Sequence, residues 1–308
     1  MPASPLPMRD GVTASCVSLP NVATSQTVFE FLCQRFPFVA ADVWRQRLHA
    51  GEVVSACGVA VQSGDVLGQY TGQKLFYYRV VPDEVAVPFQ AAVLYQDAHL
   101  LVADKPHFLP VMPAGSYLQE TLLVRLRREF DLPELAPLHR IDRETAGLVL
   151  FSKQLPSRGI YQGLFRERSI HKQYEAIAAY DAQMAFPREH CSRMVEVAGS
   201  FRMAEDTSAG AEPNSHTHMQ LLEHNRVWAR YGLSPISGRK HQLRVHMAAL
   251  GLPLQGDSMY PVAKTVASGD YSQPLQLLAK SVRFTDPLTQ LVREFTSQQA
   301  LLPLPGVD

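Results

Sequence analysis

The chain has 308 residues, of which 46% are hydrophobic and 19% charged, a composition typical of a soluble globular protein with room for more than one domain. Lys and Arg together number 29, as do Asp and Glu, so any binding of nucleic acid must rely on local basic clusters. No apolar run reaches the roughly 18–20 residues that a membrane-spanning helix needs, which excludes that class of protein.

The start of the chain, Met1–Pro7, has neither a basic segment nor an apolar stretch. We therefore expect no secretory signal and a cytoplasmic location. The four cysteines, Cys16, Cys33, Cys57 and Cys191, form no C-x-x-C pair. Their spacing argues against a zinc ribbon and favours reduced thiols.

Residues 1–24 are rich in Pro, Ser and Val without a clear period, and they predict an irregular arm. Ser25 is a candidate N-cap for a short helix that Pro37 ends. Trp44 lies in a second helical pattern, which Gly51 closes. The first ordered region is therefore expected to begin with two short helices.

Strand-like runs around a turn at Cys57 and Gly58 follow these helices. Two helices followed by a hairpin resemble an S4-type RNA-binding module, with fewer basic residues than usual and Cys-Gly in place of an Asn-Gly turn. We assign residues 25–70 to a degenerate S4-like module and residues 71–90, which prolines punctuate, to a linker. Whether the module binds RNA stays open at this stage.

Residues 91–302 carry the strand and helix patterns of one larger domain. Leu100–Ala103 is strand-like, and the leucines of Thr121–Phe130 fall on one face of a helix. Tyr174–Ala178 alternates as in a strand. Residues 181–215, with scattered Pro and Gly, predict an irregular segment.

The segment His139–Phe151 reads H-R-I-D-R-E-T-A-G-L-V-L-F, a polar loop that leads directly into an apolar strand. Gly147 permits a sharp backbone path. Arg140 and Arg143 bring positive charge near Asp142, which favours an ionised carboxylate. A carboxylate fixed in this way can serve as a nucleophile.

A second segment, Ser237–Met247, reads S-G-R-K-H-Q-L-R-V-H-M. We expect Ser237 to cap a helix that Gly251 ends. Arg244 follows Lys240 by four positions, so both side chains are expected on one face of that helix. A helix N-terminus beside basic side chains favours a carboxylate or a phosphate.

A third segment, Phe165–Tyr174, reads F-R-E-R-S-I-H-K-Q-Y, and a fourth, Gly251–Tyr260, reads G-L-P-L-Q-G-D-S-M-Y. The four segments, in this order, resemble the motifs of the RluA-type pseudouridine synthases, the first of which is usually written H-R-[LI]-D-x-x-[TS]-[SA]-G-[LIV]. The resemblance covers roughly residues 90–300. Ser237 stands where the family has Thr, and Leu278 where it often has His.

The resemblance implies an α/β (α+β) fold with a mixed, largely antiparallel bent sheet, flanking helices and a central cleft. It implies an isomerase that flips a uridine out of folded RNA and converts it to pseudouridine, with no cofactor and no metal. Asp142 is then the nucleophile, Arg244 its ion-pair partner, and Tyr174 the residue that packs against the base. The implied partner is ribosomal RNA first and transfer RNA next, and the implied state is a monomer.

Basic side chains near these motifs are the expected RNA contacts, and their contacts to phosphates predict salt-dependent binding. They are Arg140, Arg166, Lys172, Arg239, Lys240 and His241.

Two other functions are considered. A non-catalytic RNA-binding protein of the same fold would not need Asp142, Tyr174 and Arg244 together, and Asp142→Ala would leave its role intact. A metal-dependent phosphoester hydrolase would use His and Asp residues such as His241 and His246. These two histidines are five residues apart, however, rather than the four of a helical zinc pair, so we expect no metal at this site.

Overall fold

The computed structural model describes residues 4–21 and 25–306. The chain forms two compact units, Met1–Glu84 and Val85–Asp308. Part of the arm expected at residues 1–24 lies outside the described residues. Among the residues that are described, no helix is both long and apolar enough to cross a membrane.

The N-terminal unit contains a three-stranded antiparallel sheet and two helices. Its elements are β1 (Ser15–Ser18), α1 (Val28–Arg35), α2 (Ala41–His49), β2 (Val53–Val54), a 3₁₀ turn (Leu67–Tyr70) and β3 (Lys74–Tyr77). β3 lies in the centre, between β1 and β2. The buried Trp44 packs against Phe36 and Tyr77, with ring centroids 5.4 and 5.1 Å away, so aromatic rings form much of this small core.

Several expectations change in this unit. Thr27, not Ser25, caps α1, because its hydroxyl accepts the backbone N–H of Glu30 while the Glu30 carboxylate accepts the N–H of Thr27. Residues 1–24 and 71–90 are not simply arm and linker, since β1 and β3 lie within them and pair with each other. Such short strands form through their partners, which a local pattern does not reveal. The S4 likeness stays a prediction.

The larger unit is built on one ten-stranded sheet with three helices and a separate hairpin. Its elements are β4 (Ala92–Gln96), β5 (Leu100–Lys105), α3 (Leu122–Phe130), β6 (Ala136–Pro137), β7 (Ala146–Ser152), α4 (Leu155–Arg166), β8 (His171–Ala179), β9 (Arg188–Ser192), β10 (Met194–Glu196), β11 (Met203–Glu205), β12 (Ser215–His224), β13 (Trp228–Pro235), α5 (Gln242–Ala249), β14 (Leu277–Thr285) and β15 (Val292–Thr296).

The main path of the sheet runs β4-β5-β7-β14-β8-β13-β12-β9, and β10 and β11 form the hairpin. Every pair in the sheet is antiparallel except β7 with β14, where Ala146 lies opposite Leu278 and Gly147 opposite Ala279. The expectation of a mixed α+β fold with a largely antiparallel sheet is therefore confirmed. One core packs α3 against β5 and β7, and another packs α5 against β8 and β13.

The expected strand at Leu100–Ala103, the α3 helix and the strand around Tyr174 are all present. The expectation that residues 181–215 are irregular is wrong, because β9, β10 and β11 lie there. β9 is an edge strand whose sequence, R-E-H-C-S, is polar on both faces. It has no apolar alternation, which is the signal that sequence reading depends on.

Candidate active site

An open cavity of about 530 Å³ lies where three segments of the larger unit meet. The segments are the loop before β7, the connection from α4 to β8, and the turn that leads into α5. The lining residues are His139, Arg140, Ile141, Asp142, Thr145, Phe165, Arg166, Arg168, Ile170, Lys172, Tyr174, Pro235, Ile236, Ser237, Gly238, Arg239, His241, Gln242, Leu243, Arg244 and Leu277. The structure thus brings together the three most informative motifs of the sequence.

Asp142 and Arg244 form an ion pair in this cavity. Nη1 of Arg244 donates to Oδ2 of Asp142 at 3.3 Å. The side chain of Arg244 is fully buried, whereas that of Asp142 is 18% exposed. The carboxylate therefore has one side held by the protein and another side open to the cavity.

Asp257 holds Arg244 from behind in a bidentate arrangement. Nε and Nη2 of Arg244 donate to the two carboxylate oxygens of Asp257 at 2.9 and 2.7 Å. Burial opposes the charge of Arg244, but the bonds to Asp257 and the negative charges of Asp257, Asp142 and Glu144 outweigh it and raise its pKa. The bidentate bond fixes the plane of the guanidinium, so its remaining N–H groups point toward Asp142.

Glu144 completes the charged group, and we call Asp142, Glu144, Arg244 and Asp257 the floor. Oε2 of Glu144 lies 3.7 Å from Nη1 of Arg244. Arg143, which was expected to bring positive charge near Asp142, donates to Glu144 at 3.0 Å and to the hydroxyl of Tyr117 at 3.0 Å. Asp142 therefore receives its positive partner from α5, which is distant in sequence, rather than from its own loop.

Gly147 sets the path of the chain out of this loop. Its φ is +108°, and a Cβ at this position would lie 2.3 Å from the carbonyl oxygen of Ala279 on β14. The close parallel approach of β7 and β14 therefore requires glycine, for its backbone angle and for its missing side chain. The backbone N–H of Thr145 donates to the carbonyl oxygen of Asp142 at 3.2 Å, which tightens the turn.

Lys105, at the end of β5, is a buried cation that sequence reasoning did not assign to the site. Its Nζ donates to the carbonyl oxygens of Pro106 and Arg143 at 2.9 and 3.1 Å, which ties β5 to the loop. Burial lowers the pKa of Lys105 to about 7, against the opposing charges of Glu144 and Asp142. The Lys-Pro pair in the sequence was the available signal.

His241 approaches the other oxygen of Asp142. Its Nε2 lies 4.0 Å from Oδ1 of Asp142, and its Nδ1 lies 2.8 Å from the hydroxyl of Tyr260. That hydroxyl also accepts the N–H of Met203 at 2.8 Å. Burial lowers the pKa of His241. A neutral ring whose Nδ1 accepts from Tyr260 presents Nε2–H to the carboxylate, a position that suits Asp142 better than an RNA phosphate.

Tyr174 lines the cavity from β8 at the junction of the two cores. It is partly buried and packs against the α3 cluster and the α5 cluster. Burial, and then the charge of Asp142, raise the pKa of Tyr174. The phenol is therefore protonated near neutral pH, and it lines the same cavity as Asp142.

His139 supports the loop rather than acting as an ionised group. Its ring stacks on Phe165, with centroids 4.8 Å apart, and its Nε2 accepts the backbone N–H of Leu150 at 3.1 Å. Burial, and then the charge of Lys172, lower the pKa of His139 to about 3. The neutral ring links the Asp142 loop to the wall formed by α4.

The turn before α5 differs from the sequence expectation. The helix begins at Gln242, and Ser237 is not its cap; the hydroxyl of Ser237 donates instead to Oε1 of Gln242 at 2.8 Å. Lys240 lies outside the helix with its ammonium 3.5 Å from the ring centre of Phe201, so it does not share a face with the buried Arg244. The side chain of Gln242, which accepts the hydrogen bond from Ser237, takes the place of a simple capping side chain.

Five basic residues surround the cavity mouth, and we call them the basic rim: Arg140, Arg166, Arg168, Lys172 and Arg239. All except the half-buried Lys172 are exposed. Arg166 pairs with Glu167 at 2.9 Å, Arg239 donates to the backbone of Asn214, and Lys172 reaches the backbone of Ser237. The rim is thus a local basic surface on a chain without net charge.

The metal-dependent alternative does not match this geometry. Among the described residues, the groups of His, Cys, Asp and Glu whose ligand atoms lie within 4.8 Å of one another do not include Asp142. Both ring nitrogens of the buried His246 are engaged, Nε2 with Ser215 at 2.9 Å and Nδ1 with Thr217 at 3.0 Å. Asp142, His241 and His246 therefore do not form one ligand set.

The family described as RNA pseudouridylate synthase matches residues 99–249. The chain is 30% identical over 234 residues to an uncharacterized RNA pseudouridine synthase of Synechocystis, covering 76% of this chain and 79% of that protein. It is also 30% identical to the dual-specificity RNA pseudouridine synthase RluA of Haemophilus influenzae, over 67% of this chain and 92% of that protein. The match to mouse pseudouridylate synthase RPUSD2 spans only 40% of that longer protein.

Solved structures agree on the fold. Human RNA pseudouridylate synthase domain containing 1 superposes with a TM-score of 0.56 at 24% identity, covering 68% of this chain and 84% of that one. Human RNA pseudouridylate synthase domain containing 4 superposes with a TM-score of 0.50 at 25% identity, covering 69% of this chain and 88% of that one. From the four motifs, the fold and these relatives, the chain belongs to the RluA-type family of RNA pseudouridine synthases, which are isomerases that act on RNA.

Proposed function

We propose that this protein isomerises specific uridines in structured RNA, with Asp142 as the nucleophile. Ribosomal RNA is the favoured substrate and transfer RNA the next, the protein acts as a monomer, and its reaction uses no cofactor or metal. Several relatives are named as ribosomal large subunit pseudouridine synthases, and the Haemophilus relative is named as dual-specificity, which supports this order.

One observation carries the proposal. Asp142 is a partly exposed carboxylate at the base of an open cavity, held by a fully buried Arg244 that Asp257 fixes in turn. A carboxylate held on one side and open on the other is suited to attack an electrophilic carbon. Binding RNA requires neither this acid nor its fixed orientation, since an acid beside phosphates weakens binding.

The reaction begins when a uridine leaves its stack and enters the cavity. Asp142 attacks C1′ of the ribose, and the bond between C1′ and N1 of uracil breaks, which leaves an ester to Asp142 and a free uracil anion. The uracil turns so that C5 attacks C1′ and displaces Asp142. Loss of the proton from C5 to N1 or to solvent completes the conversion, and atoms and charges balance.

Tyr174, Arg244 and the basic rim support these steps. We propose that the Tyr174 ring stacks on the flipped base and stays protonated during the attack, because its pKa is raised. Esterification of Asp142 removes the charge that, after burial, raises this pKa, so the phenol becomes easier to deprotonate after the first step. Arg244 keeps Asp142 aimed, and the basic rim holds phosphates on either side of the flipped nucleotide.

The test is pseudouridine mapping of total RNA from cells that lack the protein, complemented with wild type or with Asp142→Ala. We expect one or a few sites in ribosomal or transfer RNA to disappear and to return only with wild type. Restoration by Asp142→Ala would remove Asp142 as the nucleophile. A map with no change at any ribosomal or transfer RNA site would overturn the proposed substrates.

A further inference from the structure

A cluster of potential metal ligands lies on the strand pair β9 and β12, outside the cavity. Nε2 of His216 lies 2.9 Å from Oε2 of Glu189, and Nδ1 of His218 lies 3.0 Å from Oε1 of the same carboxylate. The three ligand atoms all lie within 4.8 Å of one another. The centroids of the two imidazole rings are 4.6 Å apart, and the ring planes are tilted by 48°.

The strand register explains why these side chains meet. His218 pairs with Glu189, and His216 pairs with Cys191, so the four residues share one face of the two strands. Thr217, between the two histidines, points to the opposite face and is fully buried. Glu189, His216 and His218 are 58%, 33% and 43% exposed, so the cluster is open to solvent.

We propose that Glu189, His216, His218 and the thiolate of Cys191 bind one Zn²⁺ ion that fastens the edge strand β9 to β12. Two imidazoles, a carboxylate and a thiolate are ligands that zinc takes in a tetrahedral site, at about 2.0–2.3 Å from the metal. The observed spacing of the three clustered atoms needs only small side-chain rotations to reach such a geometry. Cys191 is exposed and lies directly across from His216, so its thiol is free to rotate inward.

A second group of similar composition, His190, Glu205 and His246, is a weaker candidate. His246 is buried, and its two nitrogens already bond to Ser215 and Thr217. A metal there would have to break those bonds, and an unpaired buried hydroxyl is unfavourable. Metal binding by Glu189, His216 and His218 has no such cost, because water can replace each hydrogen bond that the metal displaces.

The experiment titrates Zn²⁺ alone into the reduced full-length protein in competition with a chromogenic chelator. We expect one ion per chain, and at least about a 100-fold weaker affinity when His216→Ala and His218→Ala are combined. The controls are His224→Ala, an exposed histidine at the end of β12 that stacks on Tyr180, and His190→Ala from the second group. Both should bind like wild type.

Co²⁺ in place of zinc reports on the thiolate. We expect a sulfur-to-cobalt charge-transfer band in the near ultraviolet that Cys191→Ser abolishes. No binding in wild type, equal binding by the double variant, or loss of binding in His190→Ala would each overturn the site. A charge-transfer band that survives Cys191→Ser would overturn the assignment of the fourth ligand. Because all four positions lie on the exposed face, near-ultraviolet circular dichroism should show that each metal-free variant is folded.

Discussion

Arg244 at the floor and Arg166 at the rim carry the same guanidinium group in opposite surroundings. Arg244 is fully buried and contacts three carboxylates, those of Asp257, Asp142 and Glu144. The side chain of Arg166 is 71% exposed, and its partner is the neighbouring Glu167, which is 66% exposed. A surface pair of this kind contributes little to stability, whereas a buried cation requires its partners.

The contrast separates two tasks within one cavity. The contacts of the floor are formed without RNA, so in the proposed reaction the charges around Asp142 would not have to rearrange. The exposed side chains of the rim can follow a flexible phosphate backbone instead. Substitutions at the floor should therefore change the chemical step, and substitutions at the rim should change binding and its dependence on salt.

The largest effect is expected from Asp142→Asn. The amide keeps the shape of the side chain but is not a nucleophile, so turnover of a substrate RNA should fall at least about 1,000-fold. The Kd for RNA should stay within about twofold, because the rim is intact. Filter binding and a single-turnover assay measure the two quantities. Glu167→Gln, which removes an exposed acid beside the rim, is the matched control and should retain turnover.

Arg244→Lys tests the orientation of Asp142, the proposed nucleophile, while keeping the charge at position 244. A lysine cannot make a bidentate hydrogen bond to Asp257 and also contact Asp142. We therefore expect kcat to fall about 100-fold with KM nearly unchanged. Arg230→Lys is the control, since Arg230 also pairs with two carboxylates, Glu175 and Glu223, but does not line the cavity. Equal loss in both variants would show that a general loss of folding is responsible.

Gly147→Ala should act on stability. The new Cβ would meet the backbone of Ala279, and the positive φ is itself unfavourable for alanine, so the free energy of unfolding should fall by about 2–4 kcal/mol. Gly251→Ala provides the comparison: its φ is +77°, but nothing lies within 4 Å of the added atom. The free energy of unfolding of that control, measured by urea unfolding, should fall by only about 1 kcal/mol. Similar losses would mean that the close approach of β7 and β14 is not what requires glycine.

Sequence reasoning located Asp142, Tyr174 and Arg244, because each stands in a segment whose neighbours follow a recognisable pattern. It named Arg244 as the ion-pair partner of Asp142, but it also expected Arg143 to bring positive charge near Asp142, whereas Arg143 donates to Glu144 and Tyr117. Proximity along the chain does not decide the direction of a long side chain.

Two members of the charged network were missed for a different reason. Asp257 stands in the fourth motif, but its contact with Arg244 depends on how the chain after α5 folds back. Lys105 was visible only as part of a Lys-Pro pair, and its role depends on complete burial beneath the loop. The edge strand β9 was missed because its pattern is polar. Burial and long-range pairing are properties of the assembled fold rather than of a window of sequence.

Lys105→Met should change how stability depends on pH. In the folded protein the pKa of Lys105 is about 7, whereas an unfolded lysine titrates near about 10.4. Between these values the unfolded chain binds more protons, so the contribution of Lys105 to the free energy of unfolding rises with pH. In urea unfolding at pH 6, 7.5 and 9, the free energy of unfolding of wild type should rise relative to that of Lys105→Met as pH rises. A constant difference between the two proteins would contradict the lowered pKa.

The smallest effect is expected at the rim, from Arg166→Ala. The loss of one phosphate contact should raise KM roughly threefold, leave kcat unchanged, and reduce the slope of log affinity against log salt by about one. Arg128→Ala, which removes an exposed arginine on α3 away from the cavity, controls for the change in net charge and should leave the slope unchanged. If Arg166→Ala lowered kcat as much as Arg244→Lys, the rim would take part in orienting the reacting groups. The separation of chemistry and binding between floor and rim would then not hold, because an exposed arginine would be setting the position of the flipped uridine against Asp142.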